Sequence, residues 1–164
     1  MTALELLRTG TTLLKAGDAA GAERELRAAL ALDPGCAGAW VNLGGILLSR
    51  WEFRAAIDAN RRAAEADPAL ALAHFNQAVG HLHLGEAEEA LRCLNRAVEL
   101  DPQSGAAWYH LGIVLRALQQ PLEARLCTAY AGELGYRPPR ASVEALESAA
   151  PSFQGERHGA VDGR

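Results

Sequence analysis

Lysine is almost missing from this chain: Lys15 stands alone against fifteen arginines, a bias that points to a GC-rich bacterial genome rather than to a chemistry. Positive charge as a whole is also short, with sixteen basic against twenty acidic residues and a formal net charge of -4. That balance argues against a nucleic-acid partner, whose phosphates call for a basic stripe. No apolar run is long enough to span a bilayer, and Met1 to Leu14 carries Glu5 and Arg8 in an amphipathic pattern instead of the basic start and apolar core of a secretory signal. Membrane insertion is therefore not expected, and the expected location is the cytoplasm. With 164 residues the chain can bury one elongated core but has no length left for a separate catalytic domain.

The groups that carry chemistry are equally sparse. No two of the five histidines are three or four residues apart, the spacing that puts both on one turn of a helix. His74 and His81 are seven apart, about 10 Å along a helix axis, too far to share an ion at ligand distances of about 2 Å. Core packing is the expected role for both. The three cysteines form no close-spaced motif and read as reduced thiols. No nucleophile and base come together, so neither catalytic residues nor a metal or other cofactor are expected, and the chain reads as a non-enzyme.

What the chain does have is a period. Asp33-Pro34, Asp67-Pro68 and Asp101-Pro102 recur every 34 residues. Segments 3–36, 37–70, 71–104 and 105–138 then align Leu6, Trp40, His74 and Trp108 in one slot and Gly10, Gly44, Ala78 and Gly112 in another. Ala22, Ala56, Ala90 and Ala124 share a third, and Ala29, Ala63, Ala97 and Ala131 a fourth. Small residues recurring in fixed slots mark where helices approach most closely. Helices are expected at 3–16, 19–31, 37–50, 53–66, 71–84, 87–100, 105–118 and 121–133, each too short to be stable alone.

The pattern resembles the tetratricopeptide repeat, on Trp40-Val41-Asn42-Leu43-Gly44, Trp108-Tyr109-His110-Leu111-Gly112, the turns Gly17-Asp18 and Gly85-Glu86, and the closing prolines. The resemblance implies an all-α, right-handed superhelical solenoid of four helical hairpins over residues 3–138. Three departures carry expectations. The turn glycine gives way to Trp51 and Gln119, which should avoid the left-handed region that glycine tolerates. The slot filled by Leu26 and Leu94 holds Asn60 and Thr128, and a buried Asn60 needs a partner. Tyr136 replaces the closing proline, and Pro138-Pro139 end the array. Beyond them Ser142 can cap a short helix whose Val143, Leu146 and Ala150 form one apolar stripe, giving a capping helix over 139–150 and a disordered tail over 151–164.

For function the resemblance implies a peptide-binding concave face lined by the first helix of each hairpin. Arg8, Asn42, Asn76 and His110 share one inward slot and make a ladder, because an amide can both donate to and accept from the peptide groups of an extended segment. Phe75 and Tyr109 give this trough an apolar grip. The lysine clamp by which chaperone-binding members of the family hold a terminal carboxylate is not expected, since the corresponding place holds Leu4, Gly38, Leu72 and Ala106. The expected role is a scaffold holding a protein or peptide partner. Two alternatives are a recognition arm for a separately encoded modifying enzyme such as a glycosyltransferase, and weak self-association through the solenoid ends. On an exposed inner face, replacing Asn42 and Asn76 should leave stability nearly unchanged.

Overall fold

The computed structural model describes residues 1–139. These form eight helices and no strand: α1 (Ala3–Lys15), α2 (Ala19–Leu32), α3 (Ala37–Ser49), α4 (Phe53–Ala66), α5 (Ala71–His83), α6 (Ala87–Leu100), α7 (Gly105–Ala117) and α8 (Pro121–Glu133). Apart from Pro139 itself, the expected cap (139–150) and tail (151–164) lie outside the described residues.

The Asp-Pro period has a local cause. At each junction between hairpins the aspartate carboxylate turns back to accept from the backbone two residues on: Asp33 from Gly35 (2.9 Å), Asp67 from Ala69 (3.0 Å) and Asp101 from Gln103 (3.1 Å). The proline between them fixes φ for the turn. The tryptophan slot reads the same turn. Trp40 Nε1 donates to the Pro34 carbonyl at 2.8 Å and Trp108 Nε1 to the Pro102 carbonyl at 2.9 Å. In the third unit His74 fills that slot, and its buried Nε2 finds no partner. Helix starts are secured separately, by a Thr2–Glu5 capping box on α1, by Asp18 on α2 and by Ser104 on α7.

Helices pair as α1/α2, α3/α4, α5/α6 and α7/α8, and the second helix of each pair packs on the first helix of the next. No hairpin touches any but its neighbours, which is the mark of a solenoid. First helices also meet each other, α1 with α3, α3 with α5 and α5 with α7, whereas second helices do not. The array therefore curves with α1, α3, α5 and α7 on its inner side. Its core is the repeated slot set: Ala22, Ala29, Ala56, Ala63 and Ala90 are fully buried, and Leu26 and Leu94 lie between them.

The turn inside each hairpin corrects one expectation. Trp51 and Gln119 do adopt the left-handed conformation, at φ 64° and 61°, as do Gly17, Gly85 and Gly135. The reason is the bond pattern that ends each first helix. Asp18, Glu52, Glu86 and Gln120 each donate to a carbonyl five residues back, and the preceding residue donates to a carbonyl three back. Those paired bonds require a left-handed residue, whatever its side chain. Trp51 recovers part of the cost by packing edge-on against Phe53 and His83, at centroid distances of 5.7 and 5.6 Å. No comparable aromatic contact holds Gln119 among the described residues. Gln119→Gly should accordingly raise the unfolding free energy by about 1 kcal/mol, and Gly85→Ala should lower it by a similar amount, both read from urea midpoints.

Candidate functional site

The inner face presents the ladder slot of α1, α3, α5 and α7, and backbone carbonyls orient three of its four side chains. In α3, Thr11 Oγ1 donates to the Leu7 carbonyl (2.8 Å) and so can only accept from Asn42 Nδ2 (3.1 Å). In α5, Asn60 Nδ2 donates to the Ala56 carbonyl (2.8 Å), which turns Asn60 Oδ1 towards Asn76 and makes Asn76 Nδ2 the donor (3.2 Å). In α7, His110 Nδ1 lies 2.8 Å from the Ala106 carbonyl. A carbonyl cannot donate, so Nδ1 carries the proton and Nε2 is the bare acceptor. Burial holds His110 below the ordinary histidine range despite the Ala106 bond, and nearby His83 adds to the effect. Arg8 is exposed at the open end of the ladder.

Burial divides these residues in a way the sequence did not. Asn76 is only 9% exposed and its partner Asn60 not at all, so the expectation of two equally exposed asparagines is corrected: Asn42 is half-buried, but Asn76 is part of a junction. Gln77 joins the same junction with weak bonds to the Asn60 and Ala73 carbonyls, both 3.4 Å. This network also answers the requirement for a partner at Asn60. Gly44 belongs to it too, because a Cβ there would lie 2.0 Å from Asn60 Nδ2. Of the apolar pair, Phe75 is half-buried and meets the His110 ring edge-on at 5.1 Å, while Tyr109 is 9% exposed beneath Tyr136 at 5.4 Å.

Two apolar surfaces lie away from the ladder. Between α7 and α8 runs a groove of about 580 Å³, lined by Tyr109, Ile113, Arg116, Arg125, Thr128 and Tyr136 among others. On the outer side of α8, Leu122 (71% exposed), Leu126 (72%), Ala129 and Tyr130 form a second stripe. The repeat itself supplies the comparison. Leu126 takes the place of Arg24, Asp58 and Arg92, and Ala129 that of Arg27, Arg61 and Asn95, positions where α2, α4 and α6 carry ion pairs such as Arg27–Glu23, Arg61–Asp58 and Arg92–Glu89. Slot-by-slot reading of the outer helices would have found this stripe.

Chemistry is thin elsewhere. Among the described residues no three His, Cys, Asp or Glu side chains are grouped to hold a metal ion, and no helix is long and apolar enough to cross a membrane. All three cysteines are free, and burial pushes the Cys93 and Cys127 thiols up, away from the reactive thiolate. His81 is part-buried, and its Nδ1 lies 2.7 Å from Glu86 Oε2.

Profiles of the tetratricopeptide repeat match residues 7–71, 71–104 and 93–125. The chain belongs to the tetratricopeptide repeat family. Among solved structures this repeat array is similar to MamA, at 25% identity over 81% of this chain and 78% of that one, with a TM-score of 0.73. It is also similar to a MamA fragment from Desulfovibrio magneticus RS-1, at 23% identity over 81% and 75% with a TM-score of 0.71. An O-GlcNAc transferase of Thermobaculum terrenum matches 69% of this chain at 26% identity with a TM-score of 0.65, although the matched part is only 22% of that enzyme. No match was found among curated proteins. Family and neighbours together point to a protein-interaction scaffold.

Two outcomes follow from the geometry of the repeat array. Asn76→Ala leaves the buried Asn60 Oδ1 without its donor and should destabilise by about 1–3 kcal/mol, whereas Asn42→Ala should cost under about 0.5 kcal/mol, a contrast that denaturant titration of the two variants resolves. His110 is held neutral in the fold, so the unfolded chain takes up its proton first on acidification. The stability it contributes should be complete above about pH 6.5 and decline as the pH falls below that, and His110→Gln should flatten this limb of the melting profile.

Proposed function

We propose that the inner face holds an extended, partly apolar segment of a protein partner, laid along Arg8, Asn42, Asn76 and His110 and gripped beside Phe75, whereas Tyr109, packed beneath Tyr136, supports the last rung from behind. The observation that carries this reading is the shared direction of the ladder. Each of Asn42, Asn76 and His110 commits one donor to its own scaffold, Asn42 to Thr11, Asn76 to Asn60 and His110 to Ala106, which leaves Oδ1, Oδ1 and Nε2 to accept from a ligand. Acceptors repeated at one slot suit the N–H groups of a peptide backbone, a recognition that does not depend on the partner's side chains. Exposed Arg8 adds a single positive end, so a carboxylate or carbonyl of the partner fits there.

The scaffold works in a reducing cytoplasm, without catalysis of its own. A second reading is favoured by one comparison: since the array resembles part of the Thermobaculum terrenum O-GlcNAc transferase, the same face could present a substrate protein to a separately encoded modifying enzyme. Both readings use the ladder.

The test is affinity for a partner captured from the source cell and then purified. Each hydrogen bond is worth about 0.5–1.5 kcal/mol net, so Asn42→Ala should weaken binding about two- to twelvefold and Asn42→Ala with Phe75→Ala more, while Leu126→Ser on the outer stripe should leave it unchanged. The opposite order, loss with Leu126→Ser and none with Asn42→Ala, would move the binding face to the outside of α8. A co-purified transferase that modifies the partner favours the second reading.

A further inference from the structure

Each of the last three rungs of the ladder keeps one acceptor open. Asn42 and Asn76 donate through Nδ2 and His110 through Nδ1, and among the described residues no protein group donates to Asn42 Oδ1, Asn76 Oδ1 or His110 Nε2. Nor are these atoms sealed in: the one buried side-chain nitrogen or oxygen left without a partner there is His74 Nε2, in a different slot. Three acceptors therefore face the inner space, one on each of α3, α5 and α7, in sequence steps of 34 residues. What they can take depends on the distance between them.

That distance follows from the packing. α3 touches α5 and α5 touches α7, and helices in contact lie about 8–10 Å apart, which is then also the step from rung to rung. The step selects among peptide conformations. A β-strand rises about 3.3 Å per residue and turns its N–H groups to one edge at every second residue, so they fall about 6.6 or 13 Å apart, and neither reaches the next rung. An α-helix spends its N–H groups on its own carbonyls. A polyproline II helix has about three residues per turn at about 3.1 Å each, so its N–H groups recur on one side about every 9 Å, and none is used internally.

Gly45 supplies a second, independent observation. It stands inside α3, three residues after Asn42, where glycine weakens a helix relative to alanine. Packing does not require it. At Gly44 and Gly112 an added Cβ would strike Asn60 Nδ2 at 2.0 Å and Thr128 Cγ2 at 2.6 Å, whereas at exposed Gly45 it would meet nothing within 4 Å. Thr11, Val79 and Ile113 occupy the same slot in the other units, so the inner face is hollowed at this one place, beside an open acceptor. Further along, half-buried Phe75 offers apolar surface next to Asn76.

We infer that the segment held on the inner face is a polyproline II helix in which every third residue offers its N–H to Asn42, Asn76 or His110. This rests on the peptide-binding reading of the same face and adds a sequence rule for the ligand. Proline is excluded from the three residues at the rungs, which must keep their N–H, and suits the two residues between successive rungs. One pyrrolidine ring lies in the hollow over Gly45 and another against Phe75.

The experiment measures binding of three dye-labelled, twelve-residue peptides to the full chain by fluorescence anisotropy. Repeated Ala-Pro-Pro forms a polyproline II helix with an N–H at every third residue, oligoproline forms the same helix without those groups, and alternating Val-Thr favours a strand. Ala-Pro-Pro should bind at least tenfold more tightly than either of the others, since oligoproline lacks all three bonds. Asn42→Ala should weaken it about two- to twelvefold. Gly45→Gln should weaken it at least tenfold while leaving the urea midpoint equal to the parent's or higher. Oligoproline bound as well as Ala-Pro-Pro, or Gly45→Gln without effect on binding, overturns the inference. Val-Thr bound as tightly overturns it too, and if that binding falls with Asn42→Ala the ladder itself stands with a different ligand conformation. Failure of all three peptides also overturns it, whereas a natural partner still weakened by Asn42→Ala upholds the inner face as the binding site.

Discussion

Everything in this array depends on how closely its helices approach at the alanine slots. Thirteen or fourteen residues make a helix that is marginal in water, so none of α1 to α8 supports itself. Ala22, Ala56 and Ala90, and Ala29, Ala63 and Ala97 behind them, have almost no exposed surface, because a methyl group is the largest thing that fits between the backbones there. Contact at that distance lets the leucines and valines on either side interlock, and the hairpins become stable only as a stack. The Asp-Pro turns and the tryptophan bonds to the proline carbonyls then fix the angle at which one hairpin hands over to the next.

Such a design makes the fold easy to see in the chain and the site hard. Period, helix limits and the two alanine slots are all local or repeated signals, and the helices lie within a residue or two of where the pattern puts them. Trp51 and Gln119 escaped because side-chain preference was weighed alone, while the backbone bonds closing each first helix decide the conformation whatever residue stands there. Asn76 escaped for a different reason. Its slot faces inward in every unit, but its depth depends on Asn60, sixteen residues earlier and itself a departure from leucine, so two exceptions had to be read together. Asn42 has no such counterpart and remains half-buried beside Thr11.

Polarity is distributed by side. The outer helices α2, α4 and α6 carry i,i+3 and i,i+4 ion pairs, each worth little alone but together keeping that surface polar. Inside, the charges are few, and amide and imidazole groups take their place. In the last hairpin both rules lapse at once: α8 is apolar outside, at Leu122 and Leu126, and among the described residues no further helix covers its groove with α7. That concentration of exposed apolar side chains in one helix sets it apart from the three it repeats.

The Asn60–Asn76 contact has a mechanical side. It is a hydrogen bond buried between hairpins, linking α4 to α5 at the middle of the stack, and Gly44 and Gln77 close around it. The neighbouring junctions, α2 with α3 and α6 with α7, rest on less extensive packing. A load applied across the two ends would then peel the first and last hairpins away before the central pair parts, because a buried polar bond tolerates almost no sliding before it is lost. The chain would yield in steps, with a two-hairpin kernel as its last resisting unit.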